Sequence, residues 1–267
     1  MPSFTKSKAY PWALVGIFAA FHLVLSMIPY SVLGMGGGFL TWGMVSAPIV
    51  GFLLGPFYGP ISVFIGSFLG VNVFNPGGIL GPLVPTLAPT AGAFAAGALR
   101  TGKPRLLFVL FLVAVLAFIA SPIGIPAFMF IWLHLVTLVI IILLLIPRVT
   151  DILKDATSFE EGRNIALMSF GIWLFSFIAL LTDHVVGNAV SVYHFVYVLG
   201  WDPVGLVDIW LAITFVYPVE RLVASIILAV VVIAVGEAIR QTNLELPITP
   251  WESVEARELT PEEIEKE

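Results

Sequence analysis

The chain has 267 residues, of which 59% are hydrophobic and only 11% charged, with a formal net charge of −5 and no cysteine. A soluble domain carries roughly a quarter charged residues, so a water-coated globule is excluded. Disulfide frameworks, thiolate metal sites and cysteine nucleophiles are excluded with it. The acidic balance belongs to the end of the chain, where residues 245–267 hold Glu245, Glu252, Glu255, Glu258, Glu262, Glu263, Glu265 and Glu267 against Arg257 and Lys266. Nothing resembles a nucleic-acid footprint.

Crossing the hydrocarbon of a bilayer takes about 20 apolar helical residues. Candidate spans fall at 10–29, 39–55, 58–73, 83–99, 105–123, 126–147, 165–186 and 216–239. The first follows Lys6 and Lys8; its length, and the lack of a small-x-small cleavage site, make it a retained helix rather than a signal peptide. The second, third and fourth runs are rich in glycine and proline, whereas the fifth and sixth are unbroken. Irregular backbone survives in a bilayer only when buried in protein or lining a cavity. Much of the glycine also fits close helix contact, with small-xxx-small spacing at Gly51/Gly55, Gly66/Gly70 and Gly92/Ala96. Between 147 and 164 the sequence predicts a short amphipathic helix or solvated connector. Residues 204–217 read either as a ninth short segment or, in preference, as an interfacial or re-entrant piece on the outer side, and 245–267 as an acidic tail beyond a transmembrane domain of 1–244.

Orientation follows from the cationic residues. With the N-terminus inside, Lys6, Lys8, Arg100, Lys103, Arg105, Arg148, Lys154, Arg163, Arg240, Arg257 and Lys266 all fall on the inner side. The outer connections have no Lys or Arg, and Arg221 lies within the last helix. The expected architecture is all-α: a polytopic transmembrane bundle of about eight spanning helices with both termini cytoplasmic, in the cell membrane.

Ionisable groups inside a bilayer mark function by default. His22 and His134 read as interhelical hydrogen-bonding partners. Asp183, His184 and Asn188 end the seventh run, with His184 and Asn188 one turn apart. Tyr217, Glu220 and Arg221 open the last helix at similar depth. Together they predict a polar pocket on the outer side, or an Asp183–Arg221 ion pair, the two being compatible. Gly36 and Gly37, in the Gly34–Gly38 stretch of the first outer loop, are candidate lid residues. In the first helix Ala9, Ala13, Gly16 and Ala20 form a smooth stripe for docking another helix, expected in this chain rather than in another protein. No HxxxH spacing supports a metal, and GxSxG, HExxH and Walker A motifs are absent. No enzyme, cofactor or metal is therefore expected, and active transport would need a partner or an ion gradient.

The small-residue first helix, the glycine-bearing outer loop, Gly55-Pro56-Phe57-Tyr58-Gly59, the helix around Pro89, Gly92 and Gly97, and Tyr217-Pro218-Val219-Glu220-Arg221 carry a resemblance. Over 1–100 and 215–240 the chain resembles the S components of energy-coupling-factor (ECF) transporters, the substrate-capturing membrane subunits for scarce nutrients. Relative to that family's usual six helices, the extra pair falls at 105–147. The resemblance implies a small-molecule solute site beneath the first outer loop, walled by the first helix and the last two. It also implies docking through the first helix onto a transmembrane coupling subunit served by cytoplasmic ATPases.

Overall fold

The computed structural model describes residues 9–32, 39–74, 78–157, 159 and 164–241. Gly36 and Gly37, the rest of the proposed lid, and the acidic tail lie outside these. The described chain is overwhelmingly helical. Its elements are α1 (Tyr10–Ser26), α2 (Gly43–Phe74), α3 (Val84–Arg100), α4 (Pro104–Ile119), α5 (Trp132–Leu143), α6 (Pro147–Ala156), α7 (Ile165–Tyr193), α8 (Pro203–Ala212) and α9 (Val216–Arg240). A short antiparallel ribbon joins α1 to α2, with β1 (Pro29–Val32) pairing β2 (Phe39–Thr41) across an irregularity between Pro29 and Ser31. The sequence had offered only a loop there.

By length and apolarity three helices can cross a membrane: Gly43–Val73, Ile165–Val198 and Val216–Arg240. A fourth is possible if the bent pair Phe128–Leu143 and Pro147–Asp155 is one span. These make the chain a membrane-type protein. The first of the three is in fact doubled. At Gly55 the backbone takes φ 78° and ψ −174°, a conformation open to glycine and strained for other residues. A straight helix would separate residues 51 and 59 by about 12 Å. Instead, a Cβ added to Gly59 would lie 2.7 Å from the Gly51 Cα. The chain has reversed, so 43–54 and 56–74 are two arms of a helical hairpin, matching two separate runs in the sequence.

Contacts along the arms fix their directions. His22 meets Ser46, and Ser26 lies beside Gly43, so α1 runs antiparallel to the first arm. Trp12 meets Phe57, Ser62 donates to the Val15 carbonyl and Gly66 lies against His22, so α1 runs parallel to the second arm. α3 runs parallel to the first arm, with Gly51 against the Ala93 backbone and Gly97 against the Gly55–Pro56 peptide. A methyl group at Gly51 or Gly97 would collide with backbone atoms. These glycines let α2 and α3 approach more closely than side chains would permit, the small-residue packing that membrane bundles favour. α7 crosses α3 with Gly92 against Asp183 and Gly187 against Ala88. α9 lies antiparallel to α7, with Tyr217 beside His184 at one end and Leu228 beside Ile172 towards the other.

Buried polar groups are tied across helices. His22 is fully buried; its Nδ1 bonds Ser46 Oγ at 2.7 Å and its Nε2 bonds Ser67 Oγ at 2.8 Å. One imidazole thus joins α1 to both arms of α2, as the interhelical reading expected. At the far end, the reversal leaves the last carbonyls of the first arm without helical partners. Arg100 Nη1 donates to one of them, Phe52 O, while its guanidinium lies 4.5 Å from the centre of the Phe52 ring.

α6 is the short amphipathic helix expected between 147 and 164. α8 has ten residues and rises only about 15 Å, so it does not cross. The stripe Ala9, Ala13, Gly16 and Ala20 is exposed, and a Cβ at Gly16 would meet nothing within 4 Å. α1 packs through Tyr10, Leu14, Val15, Ala19 and His22. The expectation that this chain itself covers the stripe therefore fails among the described residues: the faces that pack on α2 lie beside it, at His22 and Ala19.

Two stability tests follow. Gly51→Ala should lower unfolding stability by about 1–3 kcal/mol, the usual cost of overpacking, while Gly16→Ala should be neutral or slightly stabilising. Unfolding in mixed micelles, followed by circular dichroism, reads both. His22→Phe should cost about 1–3 kcal/mol by stripping partners from Ser46 and Ser67. A double-mutant cycle with Ser67→Ala should return a positive coupling energy.

Candidate functional site

The polar layer lies where α5, α7 and α9 meet the first turn of α2. α5 is preceded by a 3₁₀ turn, Phe128–Ile131, which puts the Phe130 ring against the histidines. His134, fully buried on α5, places its Nε2 3.0 Å from His184 Nδ1 on α7, with the two rings nearly parallel. Tyr217 on α9 stacks on His134 with ring centres 5.4 Å apart and lies tilted against His184 at 4.5 Å. Its hydroxyl donates to the Phe130 carbonyl at 2.8 Å. One turn on, Arg221 is buried, and its Nη1 donates to Met44 Sδ at 3.1 Å. Four sequence-distant segments therefore converge on one layer.

His184, Tyr217 and Arg221 are brought together as the sequence predicted. Asp183 is not. It is 8% exposed and turns towards α3, where a Cβ on Gly92 would meet its Cβ at 3.1 Å and its Oδ2 at 3.7 Å. The Asp183–Arg221 ion pair does not form. Adjacent residues on a helix point about 100° apart, so with His184 facing α5 and α9, Asp183 must face elsewhere. The charge of Arg221 still bears on Asp183, His134, His184 and Tyr217 alike. Glu220 is half-buried beside Arg221. Asn188 lies one turn beyond His184, bonding the His184 carbonyl and accepting from Trp210 Nε1 at 3.0 Å. It joins α7 to α8 rather than facing the histidines.

Sequence reasoning missed Met44 and Phe130 altogether, since neither carries a polar signal. It had His134 as a hydrogen-bonding partner, and the bond to His184 is there. The other ring nitrogen, His134 Nδ1, is buried with no hydrogen-bond partner. An orphaned buried polar atom costs about 1–3 kcal/mol and marks a position where a further partner would be stabilising.

The layer is closed: His134 is fully buried, Tyr217 is 2% exposed, Arg221 4% and His184 8%. A shallow crevice with apolar walls lies further along the bundle between Pro48, Phe52, Ile172 and Leu228. Among the described residues no three His, Asp or Glu side chains converge as metal ligands.

No protein-family profile matches the sequence, and no solved structure matches it. The chain is similar to an uncharacterized protein of Methanocaldococcus jannaschii, 22% identical over 219 residues that cover 82% of this chain and 68% of that protein.

Proposed function

We propose that the protein is a multi-pass subunit of the cell membrane that binds a small nutrient-like solute and hands it to an ATP-driven partner module of the ECF type. The proposed arrangement has eight transmembrane passes, α1, the two arms of α2, α3, α4, α5, α7 and α9, alternating in direction with both termini cytoplasmic. The antiparallel contacts above are compatible with that alternation. It also gathers Arg100, Lys103, Arg105, Arg148 and Lys154 at one end, as the bias of cytoplasmic loops requires. The acidic tail then lies inside.

The observation behind the binding role is the convergence of His184, Tyr217 and Arg221 in a buried layer, next to an orphaned ring nitrogen of His134. Intramembrane cations are costly and are retained for pathways and ligands. Arg221 would meet an anionic group of the solute, its planar fork suiting carboxylate or phosphate, with Tyr217 and the histidines against a ring. Entry would need the first turn of α2 to carry Met44 away from Arg221, a movement that the preceding β ribbon and the segment holding Gly36 and Gly37 would control. Asp183, Glu220 and Asn188 would border the path. The exposed stripe Ala9, Ala13, Gly16 and Ala20 would seat the coupling subunit. No reaction is catalysed in this scheme.

A second reading, an accessory subunit that binds no small ligand, is favoured by the closed layer, where Met44 already occupies Arg221 and the histidines bond each other.

The absence of cysteine makes topology directly measurable. Ile125→Cys and Val204→Cys should react with an impermeant maleimide added outside intact cells. Arg148→Cys and Gln241→Cys should react only after permeabilisation. Native mass spectrometry of the gently purified protein should show a bound small molecule. Arg221→Ala should reduce its retention at least tenfold, in keeping with loss of a charged hydrogen-bonding partner worth about 1.5–3 kcal/mol. A ligand-free wild-type protein with stoichiometric protein partners would favour the second reading.

A further inference from the structure

Asp183 stands outside the polar layer, buried where α7 crosses α3. Among the described residues its carboxyl has neither a hydrogen bond nor an ion pair. The hydroxyls on either side are committed elsewhere. Thr182 on α7 donates to the Ile178 carbonyl at 2.8 Å, and on α3 Thr86 and Thr90 donate to the carbonyls of Pro82 and Thr86. Asn188 gives its N–H to the His184 carbonyl. Facing Asp183 across the crossing is Gly92, which has no side chain to offer. An ionised carboxylate only accepts hydrogen bonds, and none of these groups donates to it.

An acceptor is at hand instead. The Ala179 carbonyl, one turn before Asp183, borders the same notch: a Cβ on Gly92 would lie 3.3 Å from Ala179 O and 3.7 Å from Asp183 Oδ2. A protonated carboxyl has one O–H to give. Donating back by four residues is what Ser176, Thr182 and Ser191 do along the same helix. Surroundings with an acceptor and no donor suit the neutral acid, and a buried ion without a partner neutralises rather than stays charged.

Ionisable groups on the neighbouring helices are few. The first arm of α2 has none, α4 has only Arg105 at its start, and α3 has only Arg100, eight residues beyond Gly92. His134 lies on α5, His184 on α7 itself, and Tyr217, Glu220 and Arg221 on α9. Of these, Arg221 is the cation that bears on Asp183, from beyond ion-pairing distance.

We propose that Asp183 is an intramembrane proton-binding site, held as the neutral acid while α3 and α7 are closed and giving its proton to water when they part. Closing the crossing takes up a proton and opening releases one, so acid favours the closed bundle. An anionic solute at Arg221 offsets the cation that favours ionisation, so solute and proton each raise the affinity for the other. That last step alone rests on the binding role proposed above.

Infrared spectra of the purified full chain in micelles at neutral pH test the site. The wild type should show the C=O stretch of a protonated carboxyl that is missing from Asp183→Asn. Arg221→Ala, which removes the cation, should carry that band into more alkaline buffer. Thermal midpoints give a second readout. Asparagine is close in shape to the neutral acid, so Asp183→Asn and the wild type should unfold together in acid. In alkaline buffer the wild type should unfold about 2–4 °C below the variant. A structural carboxylate predicts the reverse, a loss of stability in Asp183→Asn that grows with pH. That result overturns the proposal, as do identical carboxyl bands in the two proteins. Should Asp183→Asn fail to fold, Asp183→Thr, which keeps a hydroxyl for the Ala179 carbonyl, assigns the band. The band in a protein that retains no solute upholds the proton site and removes the solute reading, whereas retained solute without the band removes the proton site alone.

Discussion

Backbone-to-backbone contact between α2 and α3 is the constraint on which the bundle depends. Without water to expel, apolar side chains gain little by meeting each other in a membrane, and close packing has to supply the attraction. Gly51, Gly59 and Gly97 remove the side chains that would hold the two arms of α2 and α3 apart. Once these segments touch, α1 is clamped by His22 to both arms, and α7 lies across α3 at Gly92 and Gly187. α9 then has a fixed surface on which to set Arg221 beside Met44. The polar layer is a product of glycine placement two helices away.

The same economy governs the charged groups. In a low-dielectric interior a lone cation is very costly, and the chain gives each buried arginine a local acceptor and an aromatic or soft neighbour. Arg100 has the Phe52 carbonyl and ring, and Arg221 has Met44 sulfur with the Tyr217 ring one turn away. The two differ in surroundings. Arg100 completes a helix end that the reversal at Gly55 left open, whereas Arg221 faces a layer of titratable rings. That difference makes Arg221 the better candidate for chemistry with a ligand.

Much of this was legible in the sequence because long apolar runs are hard to misread. Residues 165–186 and 216–239 read as helices, and the structure has α7 and α9 there. α7 continues to Tyr193, past Asp183, His184 and Asn188, because those polar groups turn into the bundle or bond its backbone rather than ending the helix. The break between the second and third runs was visible at Gly55-Pro56. The 95° bend after α5 was less so, since an unbroken apolar run up to Pro147 carries no sign of direction. The meeting of His184 with Tyr217 followed from equal depth. The place of Met44 did not, because a methionine among apolar neighbours is indistinguishable from core. Depth alone also gave the wrong partner for Asp183: it says nothing about azimuth around the helix, and His184 had taken the face towards α9.

The reversal at Gly55 bears on how the protein is made. Residues 43–54 rise about 18 Å as a helix, well short of the roughly 30 Å of hydrocarbon that an independent segment has to cover. The first arm ends in open carbonyls, and Arg100, from a helix synthesised later, donates to the one at Phe52. A nascent chain has no stable resting place for that arm by itself. In the proposed eight-pass arrangement the hairpin from Gly43 to Phe74 would enter the bilayer as one unit, its tip sealed by Arg100 once α3 folds against it.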